Sequence, residues 1–147
     1  MPGVRTPAAP RTVTAEPDPL VRWTLRLESF AAFVAGLALY LAAGGGWFLL
    51  LPALLLPDVG MVGYLVSPRV GAVTYNLVHD YAVGIALVLV GWWAPSSLLV
   101  SVGGILIAHV GMDRTMGYGL KYPTGFGDTH LGPIGRRTQR SISSNVA

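Results

Sequence analysis

The stretch from Val70 to Trp93, VGAVTYNLVHDYAVGIALVLVGWW, is 24 residues long and holds one His and one Asp among mostly apolar residues. A helix needs about 20 residues to cross the hydrocarbon core of a bilayer, with about 17–25 the usual range. Three further apolar blocks cover residues 27–43, 47–66 and 97–112. We therefore predict an all-α integral membrane protein built as a four-helix bundle.

The overall composition agrees with this fold class. The 147 residues are 52% hydrophobic and only 12% charged, whereas charged residues make up about a quarter of a soluble chain. The net charge of +3 is modest and the basic residues flank the apolar blocks, which argues against nucleic-acid binding. The absence of Cys excludes thiolate chemistry, disulfides and Cys-based metal sites.

The chain divides into four expected regions. These are a disordered Pro-rich tail over residues 1–22, a transmembrane domain over 23–113, a Gly-rich cytoplasmic lid over 114–135 and a disordered tail over 136–147. The predicted helices run from about Trp23 to the glycines at 44–46, from Trp47 to about Val66, from Val70 to Trp92 and from Ser97 to about Asp113. A cleaved signal peptide within residues 1–43 is the alternative, but the basic region before the first helix is long for one.

The orientation follows from the ten Lys and Arg residues, which all fall on one side of the predicted bundle. They lie before helix 1 or at its entry, in the turn between helices 2 and 3, and after helix 4. The turns Gly44–Gly46 and Ala94–Ser96 carry none. Because cytoplasmic loops are enriched in Lys and Arg, we predict that both termini are cytoplasmic and that the chain lies in a bacterial inner membrane.

Ionisable side chains inside the predicted helices are the leading functional candidates, because each costs about 2.5–3.5 kcal/mol to insert. The candidate catalytic residues are Asp58, His79, Asp80, His109 and Asp113. The helix rise of about 1.5 Å per residue places all of them toward the cytoplasmic half of the bundle. A protonated Asp beside a neutral His suits general acid–base catalysis.

A second group of polar and aromatic residues is predicted to bind substrate around these five. Its members are Tyr64, Tyr75, Asn76, Arg114, Tyr118, Lys121 and His130. Several follow helix 4 in the stretch His109–His130, HVGMDRTMGYGLKYPTGFGDTH, whose repeated glycines exclude a continuous helix. We expect this stretch to fold back over the site as the lid, with an interfacial loop as the alternative.

Structural and metal-binding roles are the alternatives for the same residues. His79 would serve equally as an interhelical hydrogen-bonding group, and His109 with Asp113 as a cap at the membrane interface. His109 and Asp113 also have the i,i+4 spacing of two metal ligands on one helix face, which His79, Asp58 or His130 would complete. Without a fuller motif, the preferred prediction is a site with no metal and no cofactor.

The preferred function is therefore a membrane enzyme that isomerises, cyclises or opens an epoxide in a lipophilic, isoprenoid-like substrate by acid–base chemistry. The alternatives are a proton-coupled small-solute transporter, a metal-dependent membrane hydrolase and a non-catalytic membrane subunit. The expected partners are membrane lipids, the lipophilic substrate and a possible second copy of the chain, with no nucleic acid.

Several short motifs resemble a family of short bacterial four-helix membrane proteins known only as a domain of unknown function. The motifs are Pro57-Asp58, Gly63-Tyr64, Tyr75-Asn76, His79, His109–Arg114, Gly117–Pro123 and Asp128–Gly132. The resemblance covers about residues 25–132 and implies the four-helix membrane fold, without an established activity. In the family pattern the residue after the helix 3 His is usually uncharged, so Asp80 is a departure, as is the long Pro-rich N-terminus.

Overall fold

A computed structural model describes residues 18–134, and the two tails predicted at the ends of the chain lie largely outside this range. The described chain is helical apart from one short hairpin. Its elements are α1 (Pro19–Ala42), α2 (Trp47–Leu55), a 3₁₀ segment (Leu56–Leu65), α3 (Pro68–Val78), α4 (Tyr81–Trp93), α5 (Ser97–Met116), β1 (Asp128–Thr129) and β2 (Gly132–Pro133).

Four helical segments are long and apolar enough to cross a membrane, as the sequence predicted. They are Pro19–Ala42, Trp47–Leu65, Pro68–Trp93 and Ser97–Met116. Many of their apolar side chains face outward, including Phe48 at 98% exposure and Trp93 at 87%. An outward apolar surface of this kind is compatible with a multi-pass membrane protein, in which lipid covers those side chains.

The second span is not the continuous α-helix that we predicted. It is α-helical only to Leu55 and continues as a 3₁₀ segment to Leu65. Pro57 lies at the start of this segment, and proline disturbs an α-helix because it lacks an N–H and its ring crowds the preceding turn. In the 3₁₀ pattern the carbonyl of Leu54 faces the nitrogen of Pro57, which leaves that carbonyl available to another donor.

The third span is also interrupted, where a single helix from Val70 to Trp92 was predicted. α3 ends at Val78, and His79 occupies its C-cap. Asp80 has an extended backbone, with φ −110° and ψ 134°, and its side chain accepts a hydrogen bond from the amide of Ala82 at 2.9 Å. Asp80 is therefore the N-cap of α4, because an Asp side chain satisfies the otherwise unpaired amides of a helix start.

α5 is the central helix and packs against α1 and α4 through small residues. A Cβ added at Gly36 of α1 would overlap the backbone of Gly104 and Ala108 in α5. A Cβ at Gly103 of α5 would likewise overlap the backbone of Gly84 in α4. The small-residue spacing of Ala32 with Gly36 and of Gly104 with Ala108 indicates such close packing. His109, which follows Ala108 on α5, is fully buried.

The segment after α5 folds back on the bundle. α5 extends one turn beyond the predicted end at Asp113, and Gly117 ends it in the left-handed conformation at φ +98°. Further along, the side chain of Asn76 in α3 forms two hydrogen bonds with the backbone of Lys121, at 2.9 and 2.7 Å. Lys121 also pairs with Thr129 in an isolated antiparallel bridge beside the β1–β2 hairpin.

Candidate metal centre

Two histidines from different spans meet at the centre of the bundle. His79 lies at the break between α3 and α4 and is 3% exposed, and His109 lies on α5 and is fully buried. Their Nε2 atoms are 2.9 Å apart and their rings are nearly perpendicular. The break after Val78 therefore places one imidazole directly against the other.

The hydrogen bond at Nδ1 of each ring determines whether its Nε2 atom carries a hydrogen or a lone pair. Nδ1 of His79 lies 2.8 Å from the carbonyl oxygen of Tyr75, and Nδ1 of His109 lies 2.6 Å from that of Leu54. A carbonyl oxygen only accepts hydrogen bonds, so each Nδ1 carries the hydrogen. In the neutral rings both Nε2 atoms then present lone pairs to each other. A cation between them, either a proton or a metal ion, removes the repulsion.

Two carboxylates lie beside this pair. Asp58 Oδ1, in the 3₁₀ segment, is 3.5 Å from His79 Nε2 and 3.6 Å from His109 Nε2. Asp113 Oδ2, one turn after His109, is 3.7 and 3.8 Å from the same two nitrogens. Asp58 is about a third exposed, whereas Asp113 is 13% exposed. The four groups form a cluster with anionic oxygens around two imidazole lone pairs.

The spacing within this cluster suits a metal ion. Asp58, His79 and His109 offer ligand atoms that all lie within 4.8 Å of one another. From the three distances between those atoms, a point about 2.0 Å from each of them lies close to their plane, which matches zinc bond lengths of about 2.0–2.1 Å to nitrogen and 2.0–2.2 Å to oxygen. Backbone carbonyls on the Nδ1 atoms are also the usual outer partners of metal-bound histidines.

Tyr75 connects α3 to the carboxylate of α5. Its hydroxyl donates a hydrogen bond to Asp113 Oδ2 at 3.0 Å, and its ring stacks on the His79 ring with centroids 3.5 Å apart. Tyr75, which we predicted to bind substrate, thus contacts a carboxylate and a histidine of the cluster. It therefore orients both His79 and Asp113.

Lys121 lies close to the cluster although it comes from the segment after α5. It is 4% exposed, and its Nζ lies 4.1 Å from the ring centre of Phe126 and 5.1 Å from that of Tyr75. Burial lowers the pKa of the Lys121 ammonium, and the negative charges of Asp113 and Asp58 oppose that shift. Its positive charge partly balances the two carboxylates.

A narrow crevice, too small to admit a water molecule, lies between the cluster and the segment after α5. Its lining residues come from α3, the break after it, α5 and the segment after α5, and they are Tyr75, His79, Val110, Asp113, Arg114, Tyr118, Gly119 and Leu120. The guanidinium of Arg114 stacks over the Tyr81 ring at 4.5 Å. Of the predicted substrate-binding residues, Tyr75, Arg114 and Tyr118 therefore line this crevice beside the cluster.

Other predicted residues have different surroundings. Asp80 caps α4, where its carboxylate accepts a hydrogen bond from the Ala82 amide. Nδ1 of His130 accepts a hydrogen bond from the Leu120 amide at 2.8 Å, so His130 holds the segment after α5 rather than joining the other two histidines. Tyr64 packs its ring edge against Phe126 with centroids 5.3 Å apart.

Sequence reasoning missed one functional group, the backbone carbonyl of Leu54. An apolar residue in a membrane helix carries no side-chain signal for such a role. The signal lies three residues later, in Pro57, whose missing N–H leaves the carbonyl without its 3₁₀ partner.

Residues 22–134 match the family described as a domain of unknown function (DUF4260). The chain belongs to this family. The match includes the whole cluster, from Asp58 to Asp113, and the segment after α5. No curated protein and no solved structure matches the chain.

Proposed function

We propose that this protein is a membrane-embedded, metal-dependent hydrolase in which His79, His109 and Asp58 bind one divalent ion. The observation that carries the proposal is the 2.9 Å contact between two Nε2 atoms whose Nδ1 partners are both carbonyls. The metal-free enzyme was the preferred prediction from sequence. The geometry favours the metal-dependent alternative.

Zinc is the ion that fits this donor set best. Imidazole nitrogens suit zinc, iron and copper, while carboxylate oxygens alone suit magnesium and calcium. At bond lengths near 2.05 Å, ligand atoms lie about 3.3 Å apart around a tetrahedral ion and about 2.9 Å apart around an octahedral one. The two His–Asp distances, 3.5 and 3.6 Å, lie nearer the tetrahedral value, whereas the His–His distance of 2.9 Å matches the octahedral one. The two imidazole donors, rather than the spacing, therefore favour zinc.

Asp113 is the proposed acid–base group. Three protein ligands leave a coordination position open for water or substrate, as in catalytic zinc sites. The Oδ2 atom of Asp113 lies within 3.8 Å of both Nε2 atoms and accepts a hydrogen bond from the Tyr75 hydroxyl. In hydrolysis it would take a proton from the attacking water and return it to the leaving group, so that water adds across the bond that breaks.

The membrane setting supports a lipophilic substrate. The cluster lies among four segments of membrane-spanning length, and the segment after α5 borders its crevice. We propose that this segment acts as a lid and that both termini are cytoplasmic in a bacterial inner membrane, since all ten basic residues fall on one predicted side. Asp58, about a third exposed, would face the approaching substrate.

A second candidate is a metal-free acid–base enzyme, in which the two imidazoles share a proton. The same 2.9 Å contact favours it, because a protonated ring can donate to the neutral one at that distance. In this case an isoprenoid-like substrate would be isomerised or cyclised by Asp113 and the histidine pair. The two candidates differ in whether an ion is retained.

Metal content separates them. The full-length protein is purified in detergent and incubated with zinc, manganese or iron(II). After free metal has been removed, the bound metal is measured by elemental mass spectrometry. We expect about one ion per chain in the wild type and in His130→Ala, and a loss of about 10-fold or more in His79→Ala and Asp58→Asn. Wild-type protein that retains none of the three ions would refute the metal centre.

Hydrolase activity is tested by incubating the metal-loaded protein in liposomes with a membrane lipid extract, followed by mass spectrometry of the products. The expected result is a product that carries the elements of water and whose formation stops with a chelator and in Asp113→Asn. A product isomeric with its substrate, formed equally with chelator present, would support the metal-free candidate instead.

A further inference from the structure

A separate cavity of about 540 Å³ lies beside the metal cluster, between α1, the start of α4 and the end of α5. The segment after α5 closes one side of it. Its lining residues are Arg22, Leu25, Arg26, Glu28, Ser29, Ala32, Tyr81, Arg114, Gly117, His130 and Leu131. None of the three proposed ligands is among them, so the cavity is distinct from the metal centre.

The charges around this cavity are mainly positive. Arg22 and Arg26 lie one turn apart on α1, and Arg114 comes from the last turn of α5. Glu28 is the only carboxylate among the lining residues. Three guanidinium groups from two helices thus line this space, and guanidinium groups are suited to binding an anion with several oxygens.

Two of the arginines are oriented by aromatic rings. The guanidinium of Arg114 lies 4.5 Å from the ring centre of Tyr81, and that of Arg26 lies 5.6 Å from that of Trp23. Stacking uses the flat face of a guanidinium and leaves its N–H edge for hydrogen bonding. Within residues 18–134, neither Arg26 nor Arg114 forms an ion pair.

His130 adds a neutral donor to the same cavity. Because its Nδ1 accepts the hydrogen bond from Leu120, the hydrogen of the neutral ring lies on Nε2. Gly119 makes this arrangement possible, since a Cβ there would overlap the His130 ring.

The rest of the lining is apolar or small. On α1 the cavity extends from Arg22 to Ala32, a rise of about 15 Å at 1.5 Å per residue. Leu25, Ala32 and Leu131 supply the hydrocarbon surface. The three arginines therefore lie in the first two turns of α1 and the last turn of α5, and beyond Glu28 the lining on α1 continues with the uncharged Ser29 and Ala32.

We propose that this cavity binds an amphiphile with a phosphate head group and an apolar chain. The arginines would bind the phosphate oxygens, and the inner part of the cavity would hold the first carbons of the chain. Arg114 lines both this cavity and the narrow crevice beside Asp113 and His79. The binding site does not depend on the metal proposal, because its residues are separate from the three ligands.

Binding is measured with the full-length protein in detergent, by titration calorimetry with dioctanoyl phosphatidic acid as the probe. Dioctanoylglycerol has the same chains but no phosphate, so it measures the contribution of the head group to binding. Inorganic phosphate has no chain, so it measures the contribution of the chains. The variant Arg26→Gln/Arg114→Gln removes two guanidinium groups. Arg69→Gln, at the exposed start of α3 and outside the cavity, is the matched control.

We expect saturable binding of the phosphatidic acid, weakened about tenfold or more in the double variant and unchanged in Arg69→Gln. Dioctanoylglycerol and inorganic phosphate should each bind at least tenfold more weakly than the probe. Equal binding in the double variant, while its thermal unfolding matches wild type, would overturn the proposal. If dioctanoylglycerol binds as tightly as the probe, the cavity does not recognise the phosphate. If inorganic phosphate binds as tightly, the cavity does not recognise the apolar chain. If the double variant unfolds, Arg114→Gln alone is used with the same criteria.

Discussion

The Nε2 atoms of His79 and His109 lie 2.9 Å apart, although the two residues are separated by 30 positions in the chain. Both imidazoles are fixed by backbone carbonyls on their Nδ1 atoms, so neither ring can turn to avoid the other. The bundle thus brings two lone pairs together in a buried site with two carboxylates beside them. A proton or a metal ion shared by the two nitrogens would remove the repulsion between these lone pairs.

Asp58 and Asp113 should respond differently to the same substitution. Asp58→Asn should reduce zinc affinity about 10-fold or more, because it removes a proposed ligand charge. Asp113→Asn should retain the ion and lose turnover by about 100-fold or more, because it removes the proposed acid–base group. Zinc titration and product formation measure the two effects. A comparable loss of zinc in both variants would make Asp113 a ligand rather than the base.

Pro57 is expected to act on the metal through the backbone. Pro57→Ala restores an N–H that can compete with His109 for the Leu54 carbonyl, which would weaken the orientation of the ring. We expect zinc affinity to fall by about 10-fold, the usual scale for loss of an outer partner of a metal-bound histidine. Pro52→Ala is the control, since an N–H at position 52 inside α2 faces the carbonyl of Phe48 and not that of Leu54. An equal effect of both substitutions on affinity would contradict the mechanism.

The contact between α1 and α5 should depend on Gly36. Gly36→Val places side-chain atoms against the backbone of Gly104 and Ala108, and overpacking of this kind costs about 1–3 kcal/mol or more. Gly46→Val is the control, because a Cβ at Gly46 meets no atom within 4 Å and its φ of −79° is ordinary. Thermal unfolding in detergent should show a lower midpoint for Gly36→Val alone. Equal midpoints would show that these helices are not closely packed in the bundle.

The segment after α5 should loosen at acid pH. Burial and the charge of Arg114 hold the pKa of His130 below its ordinary value of about 6.5. The unfolded chain therefore takes up this proton first, so the contribution of His130 is complete above about pH 6.5 and declines as the pH falls. Hydrogen exchange of the Leu120 amide, corrected for its intrinsic rate, should rise on acidification in the wild type. His130→Ala should lack this pH dependence. The prediction would be wrong if exchange of the Leu120 amide in His130→Ala rose on acidification as it does in the wild type.

The sequence predicted the number and approximate limits of the spans, because each needs only a length and a composition. It also predicted a polar cluster that includes Asp58, His79, His109 and Asp113. It failed at the breaks within the second and third spans, where Pro57 and Asp80 override the apolar pattern. A hydropathy pattern does not reveal an N-cap or a missing N–H, so it predicts continuous helices through both breaks.

The amino-acid sequence alone determined the fold class and the residue types available for chemistry, since these follow from apolar length and from the scarcity of ionisable groups. Tertiary structure determined which of those groups meet. His79 and His109 become partners, while Asp80 and His130 do not, because the backbone break after Val78 and the close approach of α5 to its neighbours set their positions. Distances of 2.9 to 3.8 Å between side chains from three elements depend on helix packing, which spacing along the chain does not encode.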